Sequence, residues 1–144
     1  MQVMWRMFFQ KDNSPDGALI SIHLDQVTEK KMVLTILEQA ILSKFFEIEG
    51  FKIENVNLEQ IQVVERQFTG IGFISQLNPK DLKIVNGSQD FIGGTVGAKL
   101  NGKIDAGFLV YVKNSYIDAL EGYTYGEDWP EIIETFELYL MQKS

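Results

Sequence analysis

Two segments near the N-terminus alternate between apolar and polar residues. Apolar side chains occupy every second position over residues 3–9 and again over residues 18–24, and residues 12–17 between them form the turn-rich sequence DNSPDG. Alternation with period two is typical of a half-buried strand, because successive side chains of a strand point to opposite faces. The pattern therefore predicts a β-hairpin at the start of the chain.

The clearest helical pattern spans about residues 26–46. Asp25 or Thr28 is the candidate N-cap, since either side-chain oxygen can accept a backbone N–H at a helix start. A helix with a wide apolar face must bury it, so we expect this helix to pack on one face of a sheet. The apolar residues that recur at helical spacing are Val33, Ile36, Leu37, Ala40, Ile41 and Phe45.

Period-two alternation returns after Gly50 and dominates residues 60–123. Its strongest stretch is residues 95–112, where alternating apolar residues flank Asn101-Gly102, the pair that a two-residue type I′ turn prefers. We expect a hairpin that turns there, within a mainly antiparallel meander of at least four strands. Leu109 and Tyr111 lie on the opposite face of the second hairpin strand, which predicts a central strand covered on both faces.

The C-terminal region contains a helix-start signal and an ambiguous segment. Asp128-Trp129-Pro130-Glu131 combines a cap acceptor, a proline in the first turn and a glutamate three residues after the cap, which predicts a short helix. Residues 136–141 fit both helical and strand spacing, and we favour a strand. No repeat or linker divides the chain, so we expect one α+β domain over residues 1–144.

Composition supports a folded protein of the cytoplasm. Hydrophobic residues make up 45% of the 144 residues and charged residues 23%, which is ordinary for a globular domain. The chain has no cysteine, which excludes disulfides, thiolate metal sites and thiol nucleophiles and is typical of a reducing compartment. Residues 1–10 lack the features of a signal peptide, and charges interrupt the apolar residues 32–46, so we expect no membrane span.

The negative charge of the chain is concentrated in one region. The net charge is −7, and residues 105–137 contain eight acidic residues and one basic residue, Lys113. Such a surface repels nucleic acid and attracts basic partners. The same run of charge is also typical of a solvated face, and it supplies carboxylates that could form a catalytic pair or a magnesium site.

Other candidate chemistry is weak. Residues 12–17 resemble the first half of a calcium loop, but Pro15 falls at its fourth position and His23 replaces the bidentate glutamate at its twelfth, which favours a plain turn. His23 is the only histidine, so zinc and triad hydrolase sites lack their usual groups. The glycines form no phosphate-binding motif and are typical of strands. We therefore expect no catalytic residue, no metal site and no cofactor.

Aromatic residues accompany the acidic residues of the C-terminal region. All five tyrosines lie between residues 111 and 139, and Trp129 follows Asp128. Tyrosine and tryptophan dominate the energetics of protein interfaces, and nearby acids accelerate encounter with a basic partner. The alternative is that Trp129 and one or two tyrosines only hold the short helix on the sheet. The candidate partner-binding residues are Glu121, Tyr123, Tyr125, Glu127, Asp128, Trp129 and Glu131.

Three segments carry a resemblance to a known group of proteins. Residues 68–73 (FTGIGF), 106–112 (AGFLVYV) and 120–131 (LEGYTYGEDWPE) resemble small bacterial proteins, some of which are similar to immunity proteins of toxin systems. The resemblance covers about residues 60–137 and does not extend to the N-terminal hairpin and helix. It implies a cytosolic, non-enzymatic, acidic inhibitor of a basic nuclease-like toxin, and it brings no catalytic residues.

The leading hypothesis is therefore an immunity-type inhibitor that neutralises a basic toxin domain through an acidic aromatic surface. Two alternatives stay open. One is a carboxylate-based hydrolase that uses the acidic C-terminal region, with or without a divalent metal. The other is a structural module that assembles with copies of itself.

Overall fold

A six-stranded antiparallel sheet forms the centre of the described structure. The computed structural model describes residues 32–54, 57–87 and 89–141. The predicted N-terminal hairpin, the turn at residues 12–17, His23, Asp25 and Thr28 lie outside these residues. The strands are β1 (Val63–Phe68), β2 (Gly72–Leu77), β3 (Phe91–Leu100), β4 (Ile104–Lys113), β5 (Tyr116–Thr124) and β6 (Phe136–Leu140). Their spatial order is β1-β2-β5-β4-β3-β6.

The predicted hairpin at Asn101-Gly102 is confirmed as the connection between β3 and β4. Asn101 and Gly102 both have positive φ, 52° and 71°, as a type I′ turn requires. The Lys103 N–H donates to the Leu100 carbonyl at 3.0 Å. The pair nearest the turn is Leu100 with Ile104, so the loop contains three residues, 101–103, rather than the expected two.

The turn between β4 and β5 is tighter. Lys113 pairs with Tyr116, and the two residues between them, Asn114 and Ser115, have φ of 54° and 69°. Strands β3, β4 and β5 therefore form the expected meander. The hairpin β1–β2 then joins the free side of β5, and β6 joins the free side of β3.

The helix α1 (Ile36–Glu49) is shorter than the predicted helix of about residues 26–46. Residues 32–35 are not helical, so the expected continuous helix from a cap at Asp25 or Thr28 is wrong. A capping box explains the later start, because the Glu38 N–H donates to the Thr35 hydroxyl at 3.1 Å and the Thr35 N–H donates to the Glu38 carboxylate at 2.8 Å. Gly50 ends the helix in the left-handed conformation, with φ 73°.

A buried ion pair connects the start of α1 to the sheet. Arg66 Nη2 of β1 lies 2.5 Å from Glu38 Oε1, and the two side chains are 5% and 2% exposed. Arg66 Nε also donates to the Ser75 hydroxyl of β2 at 3.0 Å, and that hydroxyl donates to the second Glu38 oxygen. A buried charge is tolerated when it is paired and hydrogen-bonded, as Glu38 is here. This cluster attaches the N-terminal end of α1 to β1 and β2, while the body of the helix contacts β3 and β4.

The core lies between α1 and the sheet face that it packs on, which we call the covered face. A Cβ at Gly93 of β3 would clash with the ring of Phe45, so helix and sheet approach closely there. Among the described residues, no helix is long and apolar enough to cross a membrane. The largest fully buried apolar side chains are Phe45, Phe108, Ile41, Leu42, Leu77, Leu82, Leu100, Ile117 and Leu120.

The predicted short helix at Asp128–Glu131 is absent. Residues 128–135 form no helix or strand. A backbone N–H of this segment bonds to a distant part of the chain instead of to a helical turn. The Trp129 N–H donates to the Gly70 carbonyl at 2.8 Å, in the turn between β1 and β2. The expectation of a strand over residues 136–141 is confirmed by β6, which pairs with β3.

Candidate functional site

The sheet face opposite α1 carries four of the five tyrosines. We call it the tyrosine face and define it by Tyr111, Tyr123, Tyr125 and Tyr139 together with Asp105, Glu121 and Lys99. In the part of the chain that the structure describes, no helix packs on this face. The prediction that β4 is central is confirmed, but Leu109 and Tyr111 on its tyrosine face are only half-buried, so that face is not covered in the way expected.

Glycine and tyrosine occupy neighbouring strands in one row across this face. The row runs from Tyr123 of β5 through Gly107 of β4 and Gly97 of β3 to Tyr139 of β6. A Cβ at Gly107 would lie 2.6 Å from the Tyr123 ring, and a Cβ at Gly97 would lie 2.6 Å from the Tyr139 ring. Real Cβ atoms do not approach so closely, so both rings cross over glycine backbone. Packing against the backbone restricts their side-chain rotation before any partner arrives.

Carboxylates orient two of the tyrosine hydroxyls. The Tyr111 hydroxyl donates to Glu121 Oε1 at 2.7 Å, and this bond, with burial second, raises the pKa of Tyr111 to about 12. The Tyr139 hydroxyl donates to Asp105 Oδ1 at 3.2 Å, and burial, followed by this bond, raises the pKa of Tyr139 to about 12. Lys99 Nζ lies 3.4 Å from the same Asp105 oxygen. Both tyrosines therefore remain neutral hydrogen-bond donors at neutral pH.

A short loop carries Tyr125 to the edge of the face. Its ring meets the Tyr123 ring edge-on, with centroids 5.6 Å apart, and Tyr125 is 60% exposed. The loop is anchored at both ends, because the Thr124 hydroxyl donates to the Glu127 carbonyl and the Trp129 N–H donates to Gly70. Burial, and then the neighbouring Tyr125, raise the pKa of Tyr123 above its ordinary value.

The charge of the face is negative. Directly paired residues share a face, so the register places Glu65 and Glu137 beside the two carboxylates already described, with Lys99 as the cation among them. Alternation along β4 also places Lys113 on the side of Asp105 and Tyr111, at one end of the face. In the described residues the face therefore contains four acidic side chains and two basic side chains. Its field favours a basic partner.

The structure places the predicted partner-binding residues in three locations. Glu121, Tyr123 and Tyr125 belong to the tyrosine face. Trp129 lies on the covered face instead. Its ring packs edge-on against the rings of Phe73 and Phe108, with centroid distances of 5.1 Å and 6.2 Å. The remaining three are exposed acids beside the loop, Glu127, Asp128 and Glu131.

Sequence reasoning missed Tyr111, Tyr139 and Asp105 as members of the site. They belong to β4 and β6, and only strand pairing brings them beside Tyr123. A usable signal was the alternation within β4, which places Asp105, Gly107 and Tyr111 on one side of the strand. Tyr116, the fifth tyrosine, lies at the turn between β4 and β5. It forms an isolated antiparallel β-bridge with Lys83.

The described residues also line two hollows. One, of about 280 Å³, adjoins the tyrosine face, since Tyr111 lines it together with Asp90, Lys113 and Asp118. The other, of about 490 Å³, is lined by residues 83–87 and Ser115. Across residues 32–54, 57–87 and 89–141, no three acidic or histidine side chains form a group suited to a metal ion. The tyrosine face is therefore the feature with the most developed chemistry.

Comparison with protein-family models, with curated proteins and with solved structures gave no match to the chain.

Proposed function

We propose that the chain is a non-enzymatic protein-binding module, and more specifically an immunity-type inhibitor that docks its tyrosine face on a basic, nuclease-like toxin domain in the cytoplasm. The observation that carries the proposal is the row of tyrosines that cross over Gly107 and Gly97 with carboxylates beside them. It combines the two side-chain types that an interface with a basic protein requires.

The tyrosines supply the affinity in this proposal. A tyrosine offers a large apolar ring and a polar tip, and it loses little conformational entropy when it is immobilised. Tyr123 and Tyr139 are already held against glycine backbone, which lowers that cost further. Tyr125 is the most exposed of the four tyrosines, so it gains the most buried area on binding.

The acids supply attraction over a distance. Residues 105–137 carry the full net charge of the chain, −7, and Glu127, Asp128 and Glu131 are exposed in the segment that follows Tyr125. Charges at the rim of an interface mainly raise the association rate. In this proposal Trp129 supports the loop from the covered face and does not touch the partner.

The direct test uses the protein encoded by the neighbouring reading frame, since an immunity protein is expected to accompany its toxin. Cells that express this neighbour should survive when the chain is co-expressed, and the two purified proteins should form a complex. Tyr125→Ala should weaken the complex by about 2 kcal/mol, which is roughly thirtyfold in Kd.

The matched control is Glu47→Gln, which removes an exposed acid of α1 whose side chain is 73% exposed and lies away from the tyrosine face. It should leave protection and Kd unchanged. If the neighbour is harmless and forms no complex with the chain, the immunity proposal is wrong. If Tyr125→Ala and Glu47→Gln behave alike in a complex that does form, the interface lies elsewhere.

A further inference from the structure

Glu121 differs from the other carboxylates of the tyrosine face in its surroundings. It is half-buried, and its neighbours across the strands are Ile74 of β2 and Leu109 of β4, which are both apolar. Tyr111 donates to one of its oxygens, and Tyr123, two residues along β5, lies on the same face of the strand. The carboxylate therefore lies between two tyrosines in a partly apolar environment.

This carboxylate has no cationic partner among the described residues. The ion pairs there are Lys44 with Glu47, Arg66 with Glu38, and Lys99 with Asp105. Asp105 on the same face is thus already neutralised by Lys99, whereas Glu121 is not. A half-buried charge that lacks a counter-ion is costly, and a partner that supplies one recovers that cost on binding.

We propose that Glu121 is the anchor for an arginine of the partner. The guanidinium would pair with the Glu121 oxygen that Tyr111 does not occupy and would lie against the neighbouring tyrosine rings. Arginine suits this position better than lysine, because its planar, weakly hydrated group stacks on aromatic rings while it hydrogen-bonds a carboxylate. The inference rests on the proposed partner-binding function and adds the chemistry of its central contact.

The test compares oligoarginine and oligolysine of equal length as probes, with Kd measured by calorimetric titration at low salt. Oligoarginine should bind the wild-type chain about tenfold more tightly, which corresponds to about 1.4 kcal/mol. Glu121→Gln should abolish this preference. Tyr111→Phe should reduce it, because the carboxylate keeps its charge but loses the hydroxyl that orients it.

Glu137→Gln is the matched control, since Glu137 is an exposed acid of the same face that lies beside Lys99. It should weaken both peptides slightly and equally and preserve the preference for arginine. Each variant is first shown to have the same midpoint of urea unfolding as the wild-type chain. A change in binding then does not reflect a change in folding.

Equal affinity for the two peptides would overturn the arginine anchor, as would a loss of preference in Glu137→Gln that matches the loss in Glu121→Gln. Neither result would overturn partner binding, which survival and complex formation with the neighbouring protein decide separately. Absence of binding by both peptides at low salt would also overturn the anchor.

Discussion

At the scale of the residue, Ser115 has a strained backbone conformation, because it is a non-glycine residue with positive φ. It occupies the second position of the turn between β4 and β5 with φ 69°, a conformation that costs a non-glycine residue about 1 kcal/mol. A two-residue turn with positive φ matches the twist of the two strands that it joins. The Ser115 carbonyl also accepts the Ile84 N–H at 2.7 Å, which attaches a loop to the turn.

We expect Ser115→Gly to raise the free energy of unfolding by about 0.5–1 kcal/mol, since glycine adopts positive φ without a steric penalty. Asn114→Gly should gain less, because asparagine tolerates the left-handed region better than serine does. Urea unfolding of the two variants measures the difference. A lower midpoint for Ser115→Gly than for the wild type would contradict this account.

The tyrosine hydroxyls give a prediction of pH dependence. The pKa values of Tyr111 and Tyr139 are about 12 in the fold, against an ordinary value of 10. The fold therefore favours the neutral form, so the stability that these residues contribute is complete below pH 10 and is lost as the pH rises from 10 through 12. As the pH is raised, the tyrosinate absorbance of the folded chain should increase at higher pH than that of the urea-unfolded chain.

Tyr111→Phe and Tyr139→Phe should each remove one late-titrating group from the folded-state curve. Superimposable titration curves for the folded and unfolded chain, at a pH where the fold is intact, would show that the two hydroxyl bonds do not form in solution.

At the scale of the element, α1 is held by charge as well as by apolar packing. Removing one partner of a buried ion pair leaves the other charge unpaired, which costs about 3–5 kcal/mol. We therefore expect Arg66→Met to destabilise the chain by that amount, because Glu38 stays buried beside Ser75. The exposed pair Lys44–Glu47 is the control, and Lys44→Met should change stability by less than about 0.5 kcal/mol.

The double variant Glu38→Met/Arg66→Met should cost clearly less than the sum of its single variants, because no lone charge then remains. Loss of the Thr35–Glu38 cap enters both the single and the double Glu38 variants and cancels in the cycle. Additive free energies of unfolding would mean that the pair is not coupled.

The loop after β5 is supported from the covered face. Because Trp129 packs against Phe73 and Phe108, we expect Trp129→Ala to lower the free energy of unfolding by about 3 kcal/mol. Tyr125→Ala should change it by less than about 0.5 kcal/mol, since that side chain is 60% exposed. Trp129→Phe, which keeps a ring at this position, should recover part of the loss. Equal effects of the two alanine variants in urea unfolding would refute this division of roles.

At the scale of the whole molecule, the uneven distribution of charge matters for encounter. A net charge of −7 concentrated in residues 105–137 should steer a basic partner toward the tyrosine face. We expect the association rate to fall markedly between low salt and about 0.15 M, where the screening length is about 8 Å, while the dissociation rate changes little. Stopped-flow kinetics in a salt series measures both. An association rate that does not depend on salt would contradict this steering and would mean that the acidic residues form only a solvated surface.

Much of the sheet could be predicted because its signals are local. The alternation over residues 95–112 and the Asn101-Gly102 pair specify a hairpin without reference to the rest of the chain. The start of α1 could not be predicted in this way. The apolar spacing extends upstream of Ile36, yet the helix begins at the Thr35–Glu38 cap, and Glu38 is paired with Arg66, 28 residues away.

The sequence by itself determined the strand periods, the turn residues, the absence of cysteine and the position of the negative charge, because each depends on neighbouring residues or on composition alone. Only the tertiary structure decided which side chains share a face. Strand order and register brought Tyr111, Tyr139 and Asp105 beside Tyr123, and packing in the core took Trp129 to the opposite side. Both are long-range properties, since a strand finds its neighbours only when the whole core is buried.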